Sequence, residues 1–167
     1  MITPYAEWAL VVPLAAAAWQ DVLRREVADW TWVSLAAVGL LLRLTAGPRG
    51  LVFSVGAAAV VFACLLVVYA RHGIGGGDVK LIAAMALGLA PFATLRFVVA
   101  TAIAGGALGL LYLAIRQSRS TEPAPAGSSL AARLWAIERW RARRRGIPYA
   151  VAIALGAVWT LAPIARP

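Results

Sequence analysis

The chain consists mainly of apolar runs close to the length that crosses a lipid bilayer, separated by short polar stretches. A transmembrane helix needs about 20 predominantly apolar residues, and six segments approach that length, two of them being short. They cover about residues 4–19, 30–44, 51–70, 79–90, 95–115 and 147–164. Hydrophobic residues are 62% of the chain and charged residues only 14%, which a soluble domain does not match. We therefore predict an all-α integral membrane protein with about six transmembrane helices, forming one domain over residues 1–167.

Residues 117–146 differ from the rest of the chain in composition. A stretch rich in Pro, Ser, Ala and Gly comes first, and an arginine-rich stretch with Leu130, Leu134 and Ile137 on one helical face follows. We predict a cytoplasmic linker and then an amphipathic helix that lies on the membrane surface before the last span. The formal charge of +9 would also suit nucleic acid. The basic residues fall in loops between apolar runs, however, so we expect lipid and no nucleic-acid partner.

The distribution of basic residues predicts the orientation in the membrane. With the N-terminus outside and alternating spans, twelve of the sixteen Lys and Arg residues fall on one side. Basic residues accumulate in cytoplasmic loops, so that side is cytoplasmic. The same topology brings Asp21, Asp29 and Asp78 to the cytoplasmic boundary, at the ends of different spans.

A glycine-rich stretch interrupts the apolar runs at residues 73–80. It contains Gly75, Gly76 and Gly77, followed directly by Asp78. Glycine leaves the backbone free for close approach to another chain, and an acid at a membrane margin is costly and usually functional. The alternative is structural: the glycines form a loop and Asp78 is the N-cap of the next helix.

Two carboxyl groups at one boundary suggest acid–base chemistry. Neighbouring carboxyl groups share a proton, so one can activate water while the other protonates a carbonyl oxygen. Asp78 can pair with Asp21 or with Asp29. The structural alternatives are a surface ion pair of Asp21 with a neighbouring arginine, and an N-cap role for Asp29, which we favour for that residue.

Other catalytic chemistries have few residues to support them. Cys64 is the only cysteine and His72 the only histidine, which excludes a thiolate zinc site and a multi-histidine metal site. We expect no metal and no cofactor. Lys80 is expected to extend to the lipid headgroups, and it could also influence the charge of Asp78.

Three segments resemble the type IV prepilin peptidases. Residues 75–81 read GGGDVKL, which is similar to the GxGD signature of that family. Residues 21–30 read DVLRREVADW, which resembles its first-aspartate segment, with Val27, Ala28 and Asp29 in place of the usual Ile-Pro-Asn. Residues 147–156 begin IPYA and resemble its closing Pro-Tyr-Gly segment, with Ala150 in place of Gly.

The resemblance implies a membrane-embedded aspartic endopeptidase of the bacterial inner membrane. Asp21 and Asp78 would be the catalytic aspartates, and Gly75, Gly76, Gly77 and Lys80 would contact the substrate. The substrates would be prepilins or pseudopilins, cut at a Gly-X bond on the cytoplasmic side after a basic leader. The chain resembles the small members that serve tight-adherence or Flp-type pili, so we expect no methyltransferase activity. The alternative is a transport or pilus-assembly component that uses the carboxylates as a proton or cation site.

Overall fold

The described part of the chain is helical throughout. A computed structural model describes residues 5–117, 129–130 and 147–162. After a 3-10 helix at Ala6–Leu10, the helices are α1 (Val11–Arg24), α2 (Asp29–Thr45), α3 (Pro48–Ala70), α4 (Gly76–Gly88), α5 (Pro91–Gln117) and α6 (Tyr149–Leu161). No strand occurs among these residues, which confirms the all-α prediction. The expected linker and surface helix at 117–146 lie almost wholly outside the described residues.

Proline and positive backbone angles mark several helix boundaries. Pro48 and Pro91 each begin a helix, and Pro148 is the N-cap of α6. Proline suits a first helical turn because its fixed φ matches the helix and its missing N–H would have no partner there. Helix α3 ends differently, with His72 in the left-handed region at φ 58°. The N–H groups of His72 and Gly73 return to the carbonyls of Tyr69 and Val68, which satisfies two terminal acceptors of α3.

Two of the described helices are long and apolar enough to cross a membrane. They are α3, with 23 residues, and α5, with 27 residues. Only 11% of the most apolar window of α3 is buried within the structure, so this helix is not the core helix of a soluble protein. The remaining helices have 13 to 17 residues, short of the 20 or so that a full span needs.

The described residues fall into two compact units. The first comprises residues up to Gly105 together with those from Pro148 onward, and the second comprises Gly106–Ile147. In the first unit α4 packs against α2, α3 and α6, while α1 packs against α2 and α6. Its core side chains are fully or almost fully buried, among them Leu14, Leu35, Leu81, Met85, Phe97 and Ile153. In the second unit Tyr112 and Ile115 pack against Leu108 and Ile147.

Helices α2 and α4 approach one another most closely at Gly39 and Gly88. A Cβ atom on Gly39 would lie 2.9 Å from the Cα and the amide nitrogen of Gly88. Beside this contact the Nε of Arg43 donates to the Gly88 carbonyl at 2.8 Å, and its guanidinium pairs with Glu7 at 2.6 Å. Arg43 is buried. Its ion pair with Glu7 compensates the charge of the guanidinium, and its hydrogen bond satisfies a carbonyl at the C-terminal end of α4. The end of α4 opposite to Asp78 is therefore fixed by backbone contact and by a buried ion pair.

The replacement Gly39→Ala is expected to destabilise the protein by about 1–3 kcal/mol, because its methyl group meets the backbone of α4, which cannot move aside locally. A suitable measurement is the midpoint of thermal unfolding in detergent micelles. Gly56→Ala is the matched control, since among the described residues no atom outside the neighbouring backbone of α3 lies within 4 Å of a Cβ at that glycine. Equal midpoints for the two variants would contradict the close α2–α4 contact.

Candidate active site

Asp21 lies in the last turn of α1, inside a helix that continues to Arg24. The sequence predicted that the first apolar segment ends at about residue 19, and the helix continues beyond that point. Arg25 ends the helix in the left-handed region at φ 59°, and its N–H donates to the Asp21 carbonyl at 2.9 Å. The side chain of Asp21 is buried, with 7% of its surface exposed. A carboxyl group at that depth needs a polar partner.

The partner of Asp21 is the start of α6. The backbone N–H of Ala150 donates to Asp21 Oδ2 at 2.9 Å. Ala150 is the second residue of α6, and the N–H groups of a first helical turn have no partner within their own helix. The same end of a helix carries partial positive charge, which favours an anion. Arg25 also lies close enough to interact electrostatically with the carboxyl group.

Asp78 is the third residue of α4 and is partly buried. The N-cap of this helix is Gly75, in an extended conformation at φ −75° and ψ 145°, so the alternative that made Asp78 the N-cap is wrong. Asp78 instead reaches back toward the cap, and its carboxyl group interacts with the backbone amide of Gly75. A side chain at the third helical position commonly satisfies the amide of the cap residue in this way.

The carboxyl groups of Asp21 and Asp78 lie near enough to interact electrostatically. They come from the last turn of α1 and the first turn of α4, and both helices pack against α6. Two carboxylates at short range repel one another, so holding a single proton between them is favourable. This pair can act as a base and an acid at the same time.

Asp29 has different neighbours. It is the first residue of α2, and Ala28 precedes it as the N-cap, so the N-cap prediction for Asp29 is wrong. Its Oδ1 accepts the indole N–H of Trp32 at 2.8 Å and pairs with Lys80 Nζ at 3.0 Å. The carboxyl group is 77% exposed, unlike that of Asp21. Lys80 also lies over the Trp32 ring, 5.3 Å from its centroid, so Lys80 joins the start of α4 to the start of α2.

The glycines before Asp78 lie close to neighbouring atoms on one side and face solvent on the other. Gly75 and Gly77 are exposed. A Cβ on Gly75 would lie 3.0 Å from Asp78 Oδ2, and one on Gly76 would lie 3.4 Å from the Tyr69 ring. Gly77 lies against Val27 of the α1–α2 connection, with 3.8 Å between the Cβ positions. An extended peptide could therefore approach the backbone beside Asp78 without meeting side chains of the loop.

Sequence reasoning alone did not identify the contact between α6 and Asp21. Ala150 acts through its backbone N–H, which no residue type reveals. The available signals were Pro148, because proline before an apolar run favours a helix start, and the resemblance of residues 147–156 to the closing Pro-Tyr-Gly segment. For metals, no group of three or more His, Cys, Asp or Glu side chains that could hold an ion occurs within the described ranges.

Comparison with known proteins assigns the chain to a family. No curated protein and no solved structure gave a match. The model of the type IV leader peptidase family matches residues 8–110. This match covers more than half of the chain, and it includes Asp21 and Asp78 but stops before α6. The chain belongs to the type IV leader peptidase family.

Proposed function

We propose that the protein is an aspartic endopeptidase that removes the basic leader of type IV prepilins or pseudopilins at a Gly-X bond. Membership of the leader peptidase family already implies a protease. The observation that carries the finer proposal is the pairing of Asp21 with Asp78, two carboxyl groups inside the family-matched region that interact electrostatically. General acid–base hydrolysis needs such a pair and no covalent nucleophile.

In the proposed mechanism the two aspartates share one proton and hold one water molecule. The ionised carboxylate takes a proton from the water as its oxygen attacks the scissile carbonyl carbon. The protonated carboxyl group gives its proton to the carbonyl oxygen, and a tetrahedral diol forms. Collapse of the diol breaks the C–N bond, and the departing nitrogen takes a proton from the pair.

The glycine loop supports the substrate part of the proposal. Gly75, Gly76 and Gly77 would let the extended leader junction lie against the loop, directly before Asp78. Lys80 would contact the same peptide or adjust the charge beside Asp78, although its observed partners are Asp29 and Trp32. A basic leader followed by an apolar helix fits a site at a membrane boundary, because the helix can stay in lipid while the junction unwinds.

We propose that the protein lies in the bacterial inner membrane as a single domain of about six spans. The N-terminus would be outside and the aspartates at the cytoplasmic face. The two long apolar helices support a membrane location, and the bias of basic residues supports the orientation. The shorter helices would require local thinning of the bilayer.

Replacing either Asp21 or Asp78 by Asn is expected to reduce prepilin cleavage by about 10²- to 10⁴-fold, because the pair loses its shared proton. The measurement is the mobility shift of a pilin precursor from the same genome when it is co-expressed with the protein. N-terminal sequencing of the product would identify the cleaved bond.

Asp29→Asn is the matched control for this experiment. Asp29 is exposed and paired with Lys80, and the family usually has Asn at this position, so the variant should retain cleavage. Full processing by the Asp21 or Asp78 variant would contradict the mechanism. If the inserted native protein cleaved none of the pilin-like precursors, the transport or assembly alternative would replace the peptidase.

Gly75→Ala is expected to reduce cleavage by about tenfold or more. The new methyl group would lie 3.0 Å from Asp78 Oδ2 and would turn the carboxyl group away from its present position, and small displacements of a catalytic group are costly. The measurement is the initial rate of cleavage in detergent micelles, with Gly56→Ala as the neutral control. An unchanged rate for Gly75→Ala would show that the position of the carboxyl group does not depend on this glycine.

A further inference from the structure

The hydrogen bond between α6 and Asp21 joins two groups that are both shielded from water. The N–H of Ala150 donates to Asp21 Oδ2 at 2.9 Å. Ala150 is fully buried, and the Asp21 side chain is buried as well. An N–H group in the first turn of a helix has no acceptor within that helix. The N–H of Ala150 therefore relies on Asp21 for its hydrogen bond.

The chemistry of this donor favours a negative charge on Asp21. A backbone N–H can only donate, so Oδ2 must accept, and an ionised carboxylate accepts on both of its oxygens. Hydrogen bonds to charged groups are stronger than neutral ones, and the positive end of the α6 dipole acts in the same direction. Burial makes the charged form of either carboxyl group more costly. The member of the pair with the better-placed donor should therefore keep the charge.

The surroundings of Asp78 support a negative charge less well. The amide beside its carboxyl group is that of Gly75, and Gly75 is exposed, so water competes for this amide. The nearest cation along the chain is Lys80, two residues further, and residues two apart do not face each other on a helix. Lys80 Nζ is bound to Asp29 at 3.0 Å and lies over the Trp32 ring.

We propose that Asp21 is the general base of the peptidase reaction and Asp78 the general acid, an assignment set by the amide of Ala150. This inference rests on the proposed function. Before the attack, Asp21 is ionised and Asp78 carries the shared proton. The start of α6 is then a positioning element of the site, although it lies outside the family-matched residues 8–110.

The assignment gives each proton of the reaction a donor and an acceptor. Asp21 takes a proton from water as the water oxygen bonds to the scissile carbon, and Asp78 gives its proton to the carbonyl oxygen. When the diol collapses and the C–N bond breaks, Asp21 passes its proton to the departing nitrogen. Asp78 takes a proton from one hydroxyl group of the diol. Both carboxyl groups thus return to their starting states.

The first test replaces the amide between Tyr149 and Ala150 by an ester, which removes one N–H and keeps every side chain. The kcat for cleavage of a detergent-solubilised pilin precursor should fall about 10- to 100-fold, the range for losing one hydrogen bond to a charged group. The KM should stay within about twofold, because the substrate contacts are unchanged.

An ester between Ala150 and Val151 is the matched control. The N–H of Val151 donates to the Pro148 carbonyl at 3.2 Å, so this ester also removes one hydrogen bond from the start of α6 but leaves the bond to Asp21 in place. Its kcat should stay within about twofold of the native value. An unchanged kcat for the first ester, or equal losses for both esters, would overturn the inference.

The second test measures the protonation of each aspartate and does not depend on cleavage. The chain contains three aspartates, and isotope labelling of their carboxyl carbons separates their infrared bands from those of the glutamates. Within the pair, Asp21→Asn leaves only Asp78, and Asp78→Asn leaves only Asp21. Asp29 is present in both variants and contributes equally to both spectra.

As the pH is raised, the band of the protonated carboxyl group should persist to higher pH in Asp21→Asn than in Asp78→Asn. The expected separation is about one pH unit or more, as a hydrogen bond to a charged group would produce. Equal midpoints or the reverse order would overturn the assignment.

The outcomes separate this inference from the proposed function. If the native protein cleaves and both Asn variants do not, a reversed infrared order overturns the assignment alone, and the peptidase proposal stands. If the native protein cleaves nothing, both proposals fail. Should the ester at Ala150 not yield folded protein, the infrared order decides, because it requires side-chain replacements only.

Discussion

The arrangement depends on the burial of one carboxyl group, Asp21, in a bundle whose core is mainly apolar. A buried carboxyl group without a partner would cost several kcal/mol, and α1 cannot supply one, because Asp21 lies near its C-terminal end. The N-terminal turn of α6 satisfies the carboxylate with the amide of Ala150 at 2.9 Å. This contact joins residues 129 positions apart in the chain. The first and last described helices must therefore pack together before the aspartates can face one another.

Helix α4 is fixed at both of its ends. At one end Gly39 and Gly88 bring two backbones together, and Arg43 binds the Gly88 carbonyl while pairing with Glu7. At the other end Gly75 caps the helix and the Asp78 side chain turns back toward it. The position of Asp78 relative to Asp21 thus follows from the packing of α4 against α2 and α6. At each end of α4, a side chain larger than that of glycine would collide with neighbouring atoms.

Much of the fold was predictable because apolar runs report helices directly. The second and third runs, predicted at 30–44 and 51–70, correspond to α2 and α3 within three residues at each boundary. The turn after the first run was placed too early, because Asp21 and its polar neighbours continue α1 by satisfying their backbone within the helix. The N-cap role favoured for Asp29 and the alternative N-cap role of Asp78 were both wrong, since Ala28 and Gly75 occupy the caps. Hydropathy locates a helix, but it does not specify which residue of a polar stretch ends it.

The sequence by itself determined the helical class, the glycine stretch before Asp78 and the motifs that indicate the family, because these depend on local composition and order. From the residues alone, either Asp21 or Asp29 could be the partner of Asp78. Only the resemblance favoured Asp21. In the tertiary structure the two differ in burial, since Asp21 is buried whereas Asp29 is exposed and bound to Lys80. The tertiary structure also brought the backbone N–H of Ala150 to Asp21. That contact depends on a backbone amide, which reaches Asp21 only once distant helices have packed.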